Sequence, residues 1–169
     1  MSTALIRALF LYHLAEYQSG NAMTIHVGVQ DHAFRIRDDG RGHAIQRTIN
    51  GLPYLRLVYS QLEYPFDLDQ DTPIQLHTLG MSLLNSLCKE LVVTVHKREN
   101  IYIQYYEEGH LKQEETKENV ENVTGTTLEG KINTELLPGK IDPGDLESWF
   151  VQIKSVNKPL RLIFNGKEL

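Results

Sequence analysis

The stretch Phe34-Arg35-Ile36-Arg37-Asp38-Asp39-Gly40-Arg41-Gly42 decides the reading of this chain. Phe34 and Ile36 alternate with arginines at the period of a half-buried strand. The strand pattern ends in acids and two glycines spaced around Arg41. Glycine allows backbone angles, and a close approach by a ligand, that a Cβ would block, so the run reads as a binding turn at a strand end. Asp and Gly also populate ordinary turns for local backbone reasons, and the rest of the chain has to decide between the two.

Working outward, residues 3–18 have the spacing of an amphipathic helix closed near Gly20. Met23 to Val29 alternates as a strand that pairs with Ala33 to Arg37 in a hairpin. Leu55 to Leu62 has helical spacing and leads into an acidic loop, Glu63 to Thr72, which holds Pro65. His77 to Leu87 reads as a second strong helix, with Leu79, Leu83, Leu84 and Leu87 three and four residues apart and Cys88 continuing its apolar pattern. Leu91 to Lys97 and Tyr102 to Glu107 are strands joined at Glu99-Asn100, and the polar run Gly109 to Asn122 fits a long hairpin arm. Gly125 to Ile132 is a further strand. Asp142-Pro143 starts a helix, with Asp as N-cap and Pro at the first helical position, running to Ser155. Leu160 to Phe164 is the last strand, followed by a hydrophilic end. Helices and antiparallel hairpins mix in one layer pair, which predicts an α/β (α+β) two-layer sandwich with a single mixed sheet.

Composition narrows the function classes. A chain of 169 residues with 41% hydrophobic content forms one domain, 1–169, with a core that needs no staple. A net charge of −5 argues against direct nucleic-acid binding, which requires a basic patch to displace phosphate counterions. The lone Cys88 cannot form an internal disulfide, and no window is long and apolar enough to span a bilayer. A cytoplasmic protein with no membrane contact is therefore expected.

The order of elements carries a resemblance. The chain resembles the nucleotide-binding subdomain of the gyrase B and topoisomerase IV B proteins, in the GHKL ATPase superfamily of chaperone ATPases, MutL proteins and histidine kinases. Three segments carry it: Asp38 to Gly42 is similar to the family's acid-and-glycine motif, Leu76 to Leu87 to its lid-to-helix segment, and Thr124 to Thr127 to its late threonine strand. The resemblance implies a Bergerat-type fold, a mostly antiparallel sheet covered on one face by helices, and a pocket for ATP or ADP.

It also implies roles. Asp38 matches the acid that accepts from the adenine amino group, a contact that gives base selectivity because bases lacking the donor are rejected. Thr126 matches the threonine supporting that acid. Gly40 and Gly42 would run beneath the purine, Ile36, Met81 and Leu128 would form apolar walls, and Glu16 would hold Arg41. At the phosphate end the chain departs from the family. Ala8 stands at the position of the water-activating glutamate and Tyr12 at that of the magnesium-binding asparagine, and neither side chain supplies that chemistry. Ile74, Gln75 and Thr78 replace lid glycines, while His77 and Gly80 are kept as the candidate phosphate end. Magnesium is not expected. The family's second subdomain and DNA-cleavage parts have no counterpart in these residues, so work in topoisomerase chemistry would need a partner, a topoisomerase-related subunit. Three functions follow. One is a non-hydrolysing nucleotide-binding module with a regulatory role. Another is an interaction domain with a vestigial pocket, for which Glu107 to Asn122 is a candidate contact surface. The third is an ATPase that recruits its base from His13, Glu16 or a partner.

Overall fold

The computed structural model describes residues 1–45, 47–49, 51–60 and 80–169. In chain order the elements are α1 (Ser2–Gln18), β1 (Thr24–Gln30), β2 (Ala33–Asp38), β3 (Thr48–Ile49), β4 (Leu52–Pro53), α2 (Tyr54–Ser60), α3 (Met81–Ser86), β5 (Cys88–His96), β6 (Asn100–Glu107), β7 (His110–Glu118), β8 (Gly125–Ile132), α4 (Pro143–Val156), β9 (Arg161–Phe164) and β10 (Lys167–Glu168). Eight strands form one sheet in the order β10-β9-β1-β2-β8-β5-β6-β7. Every pairing in it is antiparallel except β1 with β9, so the sheet is mixed and mostly antiparallel.

Alternation along the strands builds the core. On β1, Ile25, Val27 and Val29 point inward, on β2 Phe34, Ile36 and Asp38, and on β5 Leu91, Val93 and Val95. The opposite face presents exposed side chains such as His26, Arg35 and Glu129. The helices lie on the inward face. Phe10 of α1 sits 4.8 Å from Phe150 and 5.5 Å from Trp149 of α4, and Phe150 in turn is 5.2 Å from Phe164 of β9. These aromatic contacts, in tilted and edge-on geometries, pin both long helices to the sheet.

Several local signals act as expected. Asp142 caps α4 by accepting from the Asp145 N–H at 3.0 Å, with Pro143 at the first helical position. The polar run after Gly109 is a hairpin arm, β7 paired along β6. Other expectations are corrected. Cys88 is not helical: α3 is capped at Leu87, and Cys88 opens β5 as a fully buried strand residue with an irregularity before Glu90. Burial pushes its thiol up to about 12, which leaves it inert. Met23 lies outside β1 and is exposed. The hydrophilic end is a short strand, because Lys167 pairs with Phe164 around the left-handed Asn165-Gly166 turn. The β3–β4 hairpin around Gly51 has no alternating signal to announce it. Of the helix expected over His77 to Leu87, the described part is α3, and α2 ends the described part of Leu55 to Leu62 at Ser60. The remainder of both, with the loop Glu63 to Thr72, lies outside the described residues. Among the described residues no helix is long and apolar enough to cross a membrane.

Candidate functional site

Asp38 is the last residue of β2 and shares its inward face with Phe34 and Ile36, so the strand delivers a carboxylate into the layer between sheet and helices. It is only 2% exposed. A bare carboxylate there would be costly, and Asp38 is compensated on both oxygens. Oδ1 accepts from the Gly40 N–H at 2.8 Å and the Thr126 N–H at 3.3 Å. Oδ2 lies 2.6 Å from Nδ1 of His13, a residue of α1 that is itself 2% exposed. Burial pushes the Asp38 carboxyl up, but the hydrogen bond and charge of His13, with the two backbone N–H groups, outweigh it and hold the group below the usual carboxylate range. Asp38 is thus ionised, and the His13 Nδ1 carries the proton of the short contact.

Two glycines make this corner possible. Gly42 has φ +69°, and a Cβ there would lie 2.9 Å from Val95 Cγ1. Gly125 opens β8 at φ +128°, where a Cβ would fall 2.0 Å from the Asp38 carbonyl oxygen. No other residue fits that approach. The turn is tied down from two sides. Lys97 donates to the carbonyls of Arg41 and Gly42 at 2.8 and 2.9 Å. Glu16 accepts from Arg41 through Nη2 at 2.9 Å and Nε at 3.3 Å, so the structure brings this pair together, although the arginine side chain is 65% exposed. Asp39 turns away and accepts from the Met23 and Thr24 N–H groups, fixing the entry to β1.

Beside Asp38 lies a recess of about 220 Å³ lined by Tyr12, His13, Ala15, Glu16, Asp38, Gly42, His43, Tyr59, Thr126 and Leu128. His43 Nε2 is 2.7 Å from the Tyr59 hydroxyl, with the rings edge to face at 5.4 Å. Burial, and then the charge of His13, push His43 down to about 4, so it stays neutral. Burial raises Tyr59 well above the usual phenol range. The Nε2 of His13 has no hydrogen-bond partner among the described residues.

The other predicted residues are distributed around this corner. Thr126 and Leu128 line the recess, whereas Ile36 and Met81 are buried in the core and are not among its lining residues. Ala8 is 1% exposed in the core face of α1, and Tyr12, one turn on, lines the recess and packs against the core. Gly80 is the buried N-cap of α3. His77 lies outside the described residues. The sequence offers His13 only as a recruited base, and it offers neither His43, Tyr59 nor Lys97; a histidine in an apolar helix is the one signal available. Among the described residues no group of three or more His, Cys, Asp or Glu could hold a metal. Of the two carboxylates facing the recess, Asp38 is hydrogen-bonded on both oxygens and Glu16 is tied to Arg41, and the two imidazoles and two phenols beside them are not the oxygen set a hard cation prefers. A wider cleft of about 550 Å³ lies on the open face of the sheet, but its charges pair with neighbours, Arg35 with Glu129 and Lys131 with Glu90, and we place no site there.

Comparison with known proteins bears on the fold and the family. No protein-family model matches the chain. The DNA gyrase B protein of Mycolicibacterium smegmatis is 35% identical over 121 residues, which covers 67% of this chain and 17% of that protein. Among solved structures, the ATP-binding domain of Francisella tularensis topoisomerase IV, in complex with a small-molecule inhibitor, superposes with a TM-score of 0.81 at 19% identity, covering 98% of this chain and 83% of that one. The 43K ATPase domain of Thermus thermophilus gyrase B, in complex with an aminocoumarin, gives 0.78 at 20% identity over 98% of this chain and 43% of that one. The chain spans about a sixth of the length of its gyrase relative. By sequence and by fold, this chain is a domain of the gyrase B and topoisomerase IV B type, within the GHKL superfamily.

Proposed function

We propose that this domain does not hydrolyse ATP, binds adenine nucleotide weakly or not at all, and serves as a regulatory or interaction module. The contact of His13 Nδ1 with Asp38 Oδ2 at 2.6 Å supports the reading most directly. In the family the matching acid receives the adenine amino group, and here that oxygen is already taken by a buried partner from the same chain. Displacing one partner of such a buried pair costs about 3–5 kcal/mol, equivalent to roughly 10²–10⁴-fold in affinity. Ala8 and Tyr12 support it further, since neither offers the base or the cation ligand that the resemblance calls for.

Calorimetry with ADP, and turnover of ATP with magnesium, test the proposal. We expect no heat of binding at submillimolar ADP and turnover equal to a protein-free control. His13→Ala should open the acid and bring measurable ADP binding. Magnesium-dependent turnover that disappears in Asp38→Asn would overturn the proposal. The partner class we put forward is a topoisomerase-related subunit, checked by co-sedimentation with a gyrase B protein.

A further inference from the structure

We propose that the open face of the sheet, away from the helices and from Asp38, carries a site for a small aliphatic monocarboxylate, with the carboxylate on Arg37 and Thr127 and the chain over Gly28 and Ile163. The strand register builds it. His26 of β1 stands opposite Arg37 of β2, Arg37 opposite Thr127 of β8, and Thr127 opposite Thr94 of β5, so one row crosses four strands. Its neighbours along those strands, Ile25, Val27, Ile36, Leu128, Val93 and Val95, belong to the core, which puts the row on the opposite face. Arg37 is half-buried and enters no ion pair or side-chain hydrogen bond among the described residues. The cations near it are committed, Arg35 to Glu129 and Lys131 to Glu90. Thr127 is only 4% exposed, and its Oγ1 has no hydrogen-bond partner among the described residues. A buried hydroxyl left unpaired is uncommon in a folded protein and marks a place where a partner belongs.

A carboxylate satisfies both groups, since a guanidinium offers it two parallel N–H donors and a hydroxyl donates a third hydrogen bond. One uncommitted guanidinium balances one negative charge, and Glu129 beside it repels a second, so a phosphate dianion or a polyanion fits poorly. The space next to Arg37 sets the rest of the ligand. A cleft of about 290 Å³ there has His26, Gly28, Arg35 and Ile163 among its lining residues. It is open because Gly28 stands where the alternation would put a side chain on this face, and a Cβ added to it meets nothing within 4 Å. Ile163 of β9, opposite His26, supplies the apolar wall. The volume lies at the foot of the ~300–1,000 Å³ range of pockets for drug-sized molecules, which limits the ligand to a short chain. The wider cleft adjoining it shares Gly28 and Arg35 but does not include Arg37.

The test uses the full chain with ¹⁵N-labelled arginine, and butyrate, butyramide and inorganic phosphate as probes. Butyrate should move the Arg37 Nε resonance saturably at millimolar concentration, and the other two should act at least about tenfold more weakly. Arg37→Gln, at a half-buried surface position, should abolish butyrate binding. Thr127→Val keeps the shape and should weaken binding by about tenfold, the worth of a hydrogen bond to a charged group, without lowering the melting temperature. Gly28→Val fills the cleft with a residue suited to a strand and should weaken butyrate but not acetate, which has no chain to place there. Equal effects of butyrate and butyramide, no saturable shift, or a butyrate response that survives Arg37→Gln would overturn the site, and phosphate binding as tightly as butyrate would overturn the ligand class. If Thr127→Val does not fold, Arg37→Gln and the contrast between probes still decide. None of these residues lines the Asp38 recess, so either result leaves the proposed function to its own test with ADP and ATP.

Discussion

The two halves of α1 have the same backbone and opposite neighbours. Leu5, Ile6, Ala8, Leu9 and Phe10 are buried and pack into the core, with Phe10 stacked against α4. From Tyr12 onward the helix turns side chains toward the Asp38 corner, and His13 and Glu16 meet β2 and its turn through polar contacts. The first half anchors the helix by area removed from water, and the second positions charges whose worth depends on burial. One helix can therefore serve as scaffold and site at once, because apolar packing fixes its axis before the polar contacts have to hold anything.

Four changes would break or sharpen that contrast. The largest loss is expected from Phe10→Ala in the anchoring half, about 3–5 kcal/mol by denaturant titration, from cavity formation and lost ring contacts. A loss below about 1 kcal/mol would mean that this half is not the anchor. Asp38→Asn keeps the shape and removes the charge that His13 faces, and should cost about 2–3 kcal/mol. A neutral result there would show that the buried pair is no more valuable than an ordinary hydrogen bond.

Acid comes next. His43 titrates at about 4 in the fold against an ordinary 6.5, so the unfolded chain binds more protons between those values and stability falls as pH drops through that window. The ring is partly exposed, so we expect about 2 kcal/mol instead of the ~3 that so large a shift would give in full burial. Asp38 contributes above the ordinary carboxylate value of 3.8, and its share is lost below it as pH falls through its depressed folded value. Melting curves from neutral pH down to about pH 3 should show the two losses in succession, and His43→Gln should remove the first. The smallest effect belongs to the exposed end of the site half. Glu16→Ala should cost under about 1 kcal/mol, and less at high salt, because Arg41 is largely solvated. A larger loss would make this tie part of the anchor.

Much of the fold is legible in the sequence because its signals are local. The β8 strand over Gly125 to Ile132 and the Asp142-Pro143 helix start depend on neighbours a few residues away. Cys88 misleads for the same reason, since a helical leucine spacing running up to Leu87 masks the change of period at the next residue. The β3–β4 pair and β10 have two residues per strand, too short for any periodicity to register. At the site, the acid and glycines announce a turn where backbone must approach backbone. They say nothing of His13, which is 25 residues away in sequence and 2.6 Å away in space.

The sequence by itself determined the family, the helix and strand periods, and the presence of Asp38, Gly40 and Gly42 at a strand end, because each follows from side-chain type and spacing along one chain. The tertiary structure alone decided what Asp38 touches. That depends on where α1 crosses β2, a geometry set by the packing of Phe10, Phe150 and the sheet face together, and only that crossing turns an acid open to a ligand into one held by its own helix.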